Sequence, residues 1–229
     1  MIIPANKLAD FIVSQTPEQR TRIVRETRKG GADHPNYYAC FHKPAREFLL
    51  GGAQDATSIL RVIDHLKTRT KSNWYVIDSR VTTEALRSLI TCAPAIYSLG
   101  ITFAAPGKNS RAKLRMPDAE VVVTPNLIVH GERNGKPLLG AMRFFLAKEK
   151  TYQLGPRRAE LVAVMMHLWL VQNASGQRAP ESDLCLVLEC VQQRITKAPT
   201  DISKHIASIE RGCREFARVW HLLDEQEAA

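Results

Sequence analysis

Three clusters of basic residues carry the most legible chemistry in this chain. The first is Arg20, Arg22, Arg25, Arg28 and Lys29, where Arg22, Arg25 and Arg28 recur at three-residue spacing and form a stripe on one helical face. The second is Lys67, Arg69 and Lys71, followed by Trp74 and Tyr75. The third is Lys108, Arg111, Lys113 and Arg115. Runs of guanidinium and ammonium groups suit phosphates, and each phosphate neutralised steepens the salt dependence of binding by roughly 0.9 in the log–log slope. Trp74 and Tyr75 have the flat faces that stack on bases. Each cluster alone is also the ordinary make-up of a solvated face, and aromatics beside an apolar run also suit a core. The whole chain leans the same way: 32 Lys and Arg stand against 23 Asp and Glu, a formal charge of +9, which favours a polyanionic partner.

Other chemistries are missing from the sequence. There is no phosphate-binding P-loop, no GxGxxG, no GxSxG, no HExxH and no kinase signature. The five cysteines, Cys40, Cys92, Cys185, Cys190 and Cys213, are odd in number and contain no CxxC pair, so they are expected as reduced core thiols in a reducing compartment rather than as a zinc site. The start, Met-Ile-Ile-Pro, lacks a charged segment leading into a long apolar run, and no stretch reaches about 18 uncharged apolar residues. A cytoplasmic protein without a membrane partner is the expectation.

The elements that must position these groups follow from periodicity and caps. Leu8, Phe11 and Ile12 make a helical face over Ala5 to Ser14. Thr16 as cap and Pro17 at the first turn start a helix running to Arg28, with Ile23 and Val24 inside. Residues 32–42 read as a loop, and Ala45 to Leu50 as a helix. Asp55 to Thr68 is amphipathic, with Ile59, Leu60, Ile63 and Leu66 toward the core. Trp74 to Ile77 is strand-like, and a helix over Thr83 to Ile90 precedes Pro94. Short strands follow at Ile101 to Ala104, Lys113 to Met116, Glu120 to Val123 and Leu127 to Val129. Asn134-Gly135 marks a hairpin returning through Leu138 to Ala147, so that residues 113–147 form one meander. Gly155-Pro156 opens a long helix to Asn173; strands at Leu184 to Val191 and Ile195 to Ala198 and a helix from about Ile202 complete the chain. A helix between two strands is a crossover and makes those strands parallel. The fold class expected is α/β (α+β), a mixed central sheet flanked by helices. Its divisions are an N-terminal helical region at 1–98, an α/β core at 99–223 and a frayed tail at 224–229.

The segment Val121-Val-Val-Thr-Pro-Asn-Leu-Ile-Val129, with Gly140-Ala-Met-Arg143 on the return strand, resembles the core of the PD-(D/E)XK nuclease superfamily. The resemblance covers roughly residues 100–220 and is strongest over 120–150. The chain is also similar to a group of bacterial proteins of unassigned function, often carried on mobile elements, through Lys7-Leu8-Ala9-Asp10-Phe11, Arg22-Ile23-Val24, Pro125-Asn126-Leu127 and Gly140-Ala141-Met142-Arg143. The resemblance implies a restriction-endonuclease-like core in which two carboxylates hold Mg²⁺ and a lysine orients the attacking water. In this chain Asn126 stands where the first acid belongs, Ala141 at the second, and Arg143 in place of the lysine. Arginine binds phosphate bidentately and cannot act as a base.

The candidate catalytic positions are therefore Asn126, Arg143 and Glu160, the last as an acid displaced onto the following helix. Asp118 and Glu120 are further candidates for displaced acids. Glu160 also suits an ordinary first-turn acid. Arg143 shares a strand face with Ala141 and Phe145, where it either meets phosphate or pairs with Glu189 or Glu120. The candidate nucleic-acid contacts are Arg22, Arg25, Arg28, Lys29, Lys108, Arg111, Lys113, Arg115, Arg143 and Lys148. The function expected is binding of nucleic acid, DNA first, on a nuclease-like core without a metal or other cofactor. The alternatives are an Mg²⁺-dependent endonuclease with displaced acids, and a protein-interaction or inhibitor subunit, with a protein partner or a second copy of the chain.

Overall fold

The computed structural model describes residues 1–30, 40–68, 72–107, 112–146, 154–174 and 176–228. A short strand β1 (Ile2–Pro4) leads into helices α1 (Ala5–Val13), α2 (Pro17–Arg28), α3 (His42–Leu50), α4 (Thr57–Lys67) and α5 (Asn73–Tyr97). Then come β2 (Thr102–Ala104), β3 (Leu114–Met116), β4 (Ala119–Val122), β5 (Leu127–Arg133) and β6 (Lys136–Phe145). Helix α6 (Pro156–Asn173), β7 (Ala179–Glu189), β8 (Arg194–Lys197) and α7 (Ser203–Ala228) follow.

Local signals set several of these boundaries. The Thr16 hydroxyl accepts from Gln19 N at 3.3 Å and Pro17 occupies the first turn of α2, the two devices that satisfy and preset a helix start. Asn134 and Gly135 both have positive φ, 52° and 74°, as the tight turn between β5 and β6 requires. Gly155, at φ 74°, turns the chain into α6 with Pro156 as its first residue.

The fold is mixed α/β. The main sheet has the order β2-β5-β6-β7-β8, and all its neighbours are antiparallel except β6 and β7, which run parallel across the α6 crossover. Alternate residues of β6 and β7 serve two cores. Ala141, Phe145, Cys185 and Val187 join α1, α6 and α7 on one face; Met142, Phe144, Leu186 and Leu188 join α3, α4 and α5 on the other. The helices of residues 1–98 are thus divided between the two faces of the sheet. Residues 161–166 of α6 are buried all round, since that helix lies between the sheet, α1, α7 and a second, smaller sheet.

That smaller sheet departs from the single meander expected over 113–147. Its order is β1-β4-β3, with β1 parallel to β4, so β3 and β4 leave the main sheet and only β5 and β6 remain paired with it. Three residues at the chain start close it: Ile3 is fully buried and Glu120 N donates to Met1 O at 2.9 Å. Other expectations also give way to tertiary contacts. Residues 74–77 are helical, the first turn of α5, because the Ser72 hydroxyl caps that helix, and α5 then continues through Pro94 to Tyr97. Leu60 is 51% exposed, because the buried stripe of α4 is Ile59, Ile63 and Leu66. Helix α3 starts at His42, inside the expected loop, whose residues 32–39 lie outside the described part. Helix α7 continues to Ala228 rather than fraying at 224. Arg28 holds its last turns, meeting Asp224 at 2.6 Å and Glu227 at 2.8 Å and lying over the Trp220 ring at 5.6 Å.

Where β6 meets β7 the register slips. Leu139 pairs with Pro180, yet Ala141 pairs with Cys185. The extra residues of β7 bulge toward Gly140, and a Cβ there would sit 2.1 Å from Leu184 O. Gly140→Ala is therefore expected to cost about 3 kcal/mol or more in urea denaturation, since backbone must shift in a packed sheet. Gly107→Ala, with nothing within 4 Å of the added carbon, should stay within about 0.5 kcal/mol of the parent.

Candidate nucleic-acid interface

Asn126 and Arg143 come together where β5 begins beside the end of β6. Asn126 acts first as a clamp on the hairpin: its N donates to Met142 O at 2.8 Å, and its Oδ1 accepts from Phe144 N at 2.7 Å. The side chain thereby extends the β5–β6 ladder by one bond. Phe41 packs edge-on against Phe144 with ring centroids 5.7 Å apart, which seats the start of α3 over this corner. His42 follows, and its Nδ1 lies 3.4 Å from Asn126 Nδ2, placed to accept when the imidazole proton is on Nε2.

Arg143 is half-buried, and its Nη1 donates to Thr124 O at 2.8 Å and to the Thr124 hydroxyl. Glu189, fully buried on the same sheet face, is taken by Arg194 and by Gly155 N at 3.3 Å; Glu120 is taken by Lys113 at 2.5 Å. Among the described residues no carboxylate pairs with Arg143. Burial lowers its pKa, and arginine nevertheless stays protonated in proteins. His42 feels the result. Burial first, then the charges of Arg46 one turn along α3 and of Arg143, hold its imidazole below the ordinary pKa. The corner therefore combines two guanidiniums, a neutral imidazole, an amide and a hydroxyl. Such a set receives an anion. Asn126 and Ala141 stand there, and among the described residues no carboxylate pairs with Arg143.

The displaced acids sit elsewhere. Glu160 lies 3.5 Å from His205 on α7 and has no contact to Asn126 or Arg143. Glu120 is held below the usual carboxylate range mainly by its hydrogen bond from Lys113. Asp118 occupies the β3–β4 turn at φ 62°. Among the described residues no group of three His, Cys, Asp or Glu could hold a metal ion. The buried thiols are poor ligands as well, with Cys185 and Cys213 pushed up to about 12 by burial.

The basic stripe of α2 divides. Arg28 is engaged by α7, and Arg20 meets Glu215 at 2.9 Å while lying over Phe11. Arg22, Arg25 and Lys29 remain exposed; only Arg22 has an ion-pair partner among the described residues, Glu26 at 3.8 Å, a solvated contact worth little. In the third cluster Lys113 is paired with Glu120, whereas Arg115 points to solvent from β3 while its backbone is bracketed by the Gln172 amide. Lys108, Arg111 and Lys148 lie outside the described residues, as do Arg69 and Lys71. Sequence reasoning missed His42, Arg46 and Thr124; the His-x-x-x-Arg spacing on one helical face was the only local signal for the first two.

Among the described residues no helix is long and apolar enough to cross a membrane. Comparison with protein-family models, with curated proteins and with solved structures found no match.

Two outcomes follow from the corner. Asn126→Ala strands the buried Phe144 N–H and should cost about 1–3 kcal/mol in urea denaturation, whereas Asn126→Asp, which keeps the acceptor, should cost less. Separately, His42, His130 and His167 all have lowered pKa values, each chiefly through burial. Below roughly pH 6.5 the unfolded chain binds protons that the folded chain does not, so stability should fall as pH drops from 7.5 to 5.5. His42→Gln should flatten that fall in the same urea titrations.

Proposed function

We propose that this protein binds nucleic acid, DNA in the first place, through its phosphates, on a nuclease-like core that does not cut. The observation carrying this reading is Arg143, a half-buried cation without a carboxylate partner among the described residues, held by Thr124, with its charge and that of Arg46 both felt at His42. A guanidinium held by neutral acceptors keeps its charge available to a phosphate oxygen. The chain order supports the same reading. The hairpin β5–β6, the crossover α6 and the parallel strand β7 follow one another as the PD-(D/E)XK resemblance implies, with Asn126 and Arg143 at the positions of its first acid and its lysine. The excess of 32 basic over 23 acidic side chains supplies long-range attraction, and Arg22, Arg25, Lys29 and Arg115 are exposed for further backbone contacts.

Fluorescence anisotropy with labelled duplex DNA, single-stranded DNA and RNA, titrated across salt, tests this. Binding should weaken linearly in log–log salt plots. Arg143→Ala should lower affinity for every sequence and reduce the slope by about 1. Added Mg²⁺ should act only as salt, and plasmid should stay uncut. Affinity for no nucleic acid at low salt would end the proposal, as would an Arg143→Ala variant that binds like the parent.

A further inference from the structure

We propose that the cleft between α4 and α5 is a second site, built for a phosphate-bearing organic anion of nucleotide size. Its volume is about 610 Å³, inside the range of roughly 300–1,000 Å³ typical of small-molecule sites. The α5 residues lining it fall in two adjacent rows of four-residue spacing, 76 to 88 and 79 to 91, so they form one continuous face of the helix. The opposite face, with Ala85, Leu86, Leu89 and Ile96, packs into the core. Packing against the sheet therefore gives no reason for what the cleft face carries.

That face is basic and hydroxylic. Lys67, Arg80 and Arg87 line the cleft against one carboxylate, Glu84. Among the described residues neither Arg80 nor Arg87 has an ion-pair partner, and Lys67 meets only Asp64 in a solvated pair. Ser79 supplies the second, independent observation: it is 7% exposed, lines the cleft, and its hydroxyl has no hydrogen-bond partner among the described residues. A buried hydroxyl left unpaired is costly, and a ligand oxygen in the cleft would satisfy it.

The spacing narrows the ligand class. Arg80 and Arg87 are seven residues apart, about 10 Å along the helix axis, and guanidinium forks bind phosphate oxygens in pairs. Val76, 48% exposed, adds an apolar surface against which a flat ring can lie. A nucleoside phosphate meets all of these, whether free or as the phosphorylated end of a strand. None of these residues belongs to the corner around Arg143, so the inference stands apart from the function proposed above.

Isothermal titration of the full chain with ADP, adenosine, inorganic pyrophosphate and a 5′-phosphorylated tetranucleotide tests it. ADP should bind at least tenfold more tightly than adenosine. Arg80→Ala and Arg87→Ala should each weaken ADP by roughly ten- to a hundredfold, the loss of a charge-assisted hydrogen bond. Ser79→Ala should weaken it severalfold, and Arg218→Ala, exposed on α7, should leave it unchanged. Both arginines are exposed, so the variants should keep the parent urea midpoint. Tighter binding of ADP than of the tetranucleotide identifies a free nucleotide as the ligand source, and the reverse order identifies a strand end. Absence of binding by both, or ADP binding indifferent to both arginine substitutions, overturns the proposal.

Discussion

The parallel pairing of β6 with β7 governs most of what this molecule can be. No tight turn joins parallel neighbours, so the chain must cross over one face of the sheet before β7 can form. Helix α6 makes that crossover and becomes the most enclosed helix of the fold. With α6 on one side and α3 to α5 on the other, the central strands are buried on both faces, and nearly every residue from Ala141 to Leu146 and from Cys185 to Cys190 is apolar. A polar group in that setting must have partners or be kept within reach of solvent. Glu189 follows the first course, with Arg194 and Gly155 N. Arg143 follows the second, held by Thr124 at the strand end.

Charge is distributed with the same logic. Much of the chain's basic excess meets acids at helix contacts: Arg28 and Arg20 tie α2 to α7, and Arg158 ties α6 to Asp10 on α1 at 2.9 Å. What remains unmatched is therefore more informative than the total of +9. Two places stand out, the Arg143 corner and the α4–α5 cleft. In both, guanidiniums lie near hydroxyl or amide groups, and in the cleft Glu84 shares their face. At the corner the neighbouring His42 imidazole is held below its ordinary pKa by burial first, and then by the charges of Arg46 and Arg143.

The corner also gives Asn126 a part in holding the sheet. Its amide oxygen carries a ladder bond to Phe144 N, and its amide nitrogen faces His42. A carboxylate there would keep the first contact and would also sit next to Arg143. The amide instead leaves the guanidinium charge uncompensated, which favours holding an anion over holding a cation.

The sequence by itself determined the elements whose causes are local. Thr16 and Pro17 placed the start of α2, Asn134-Gly135 placed the β5–β6 turn, and the apolar run after Pro156 marked a buried crossover and hence a parallel pair. It also placed Arg143 on the return strand of the β5–β6 hairpin, with Asn126 just before β5. Only the tertiary structure decided which strands share a sheet, because pairing between residues as distant as Ile3 and Val121 leaves no mark in either segment's periodicity. The same holds for the Trp74 to Ile77 run, whose β-branched character yields to a cap at Ser72 and to the helix packed behind it. It holds above all for charge. The helical stripe of arginines was legible, but Arg28 facing Asp224 and Arg143 facing no acid among the described residues are outcomes of packing between segments far apart in the chain, and electrostatic partners are chosen by distance in space.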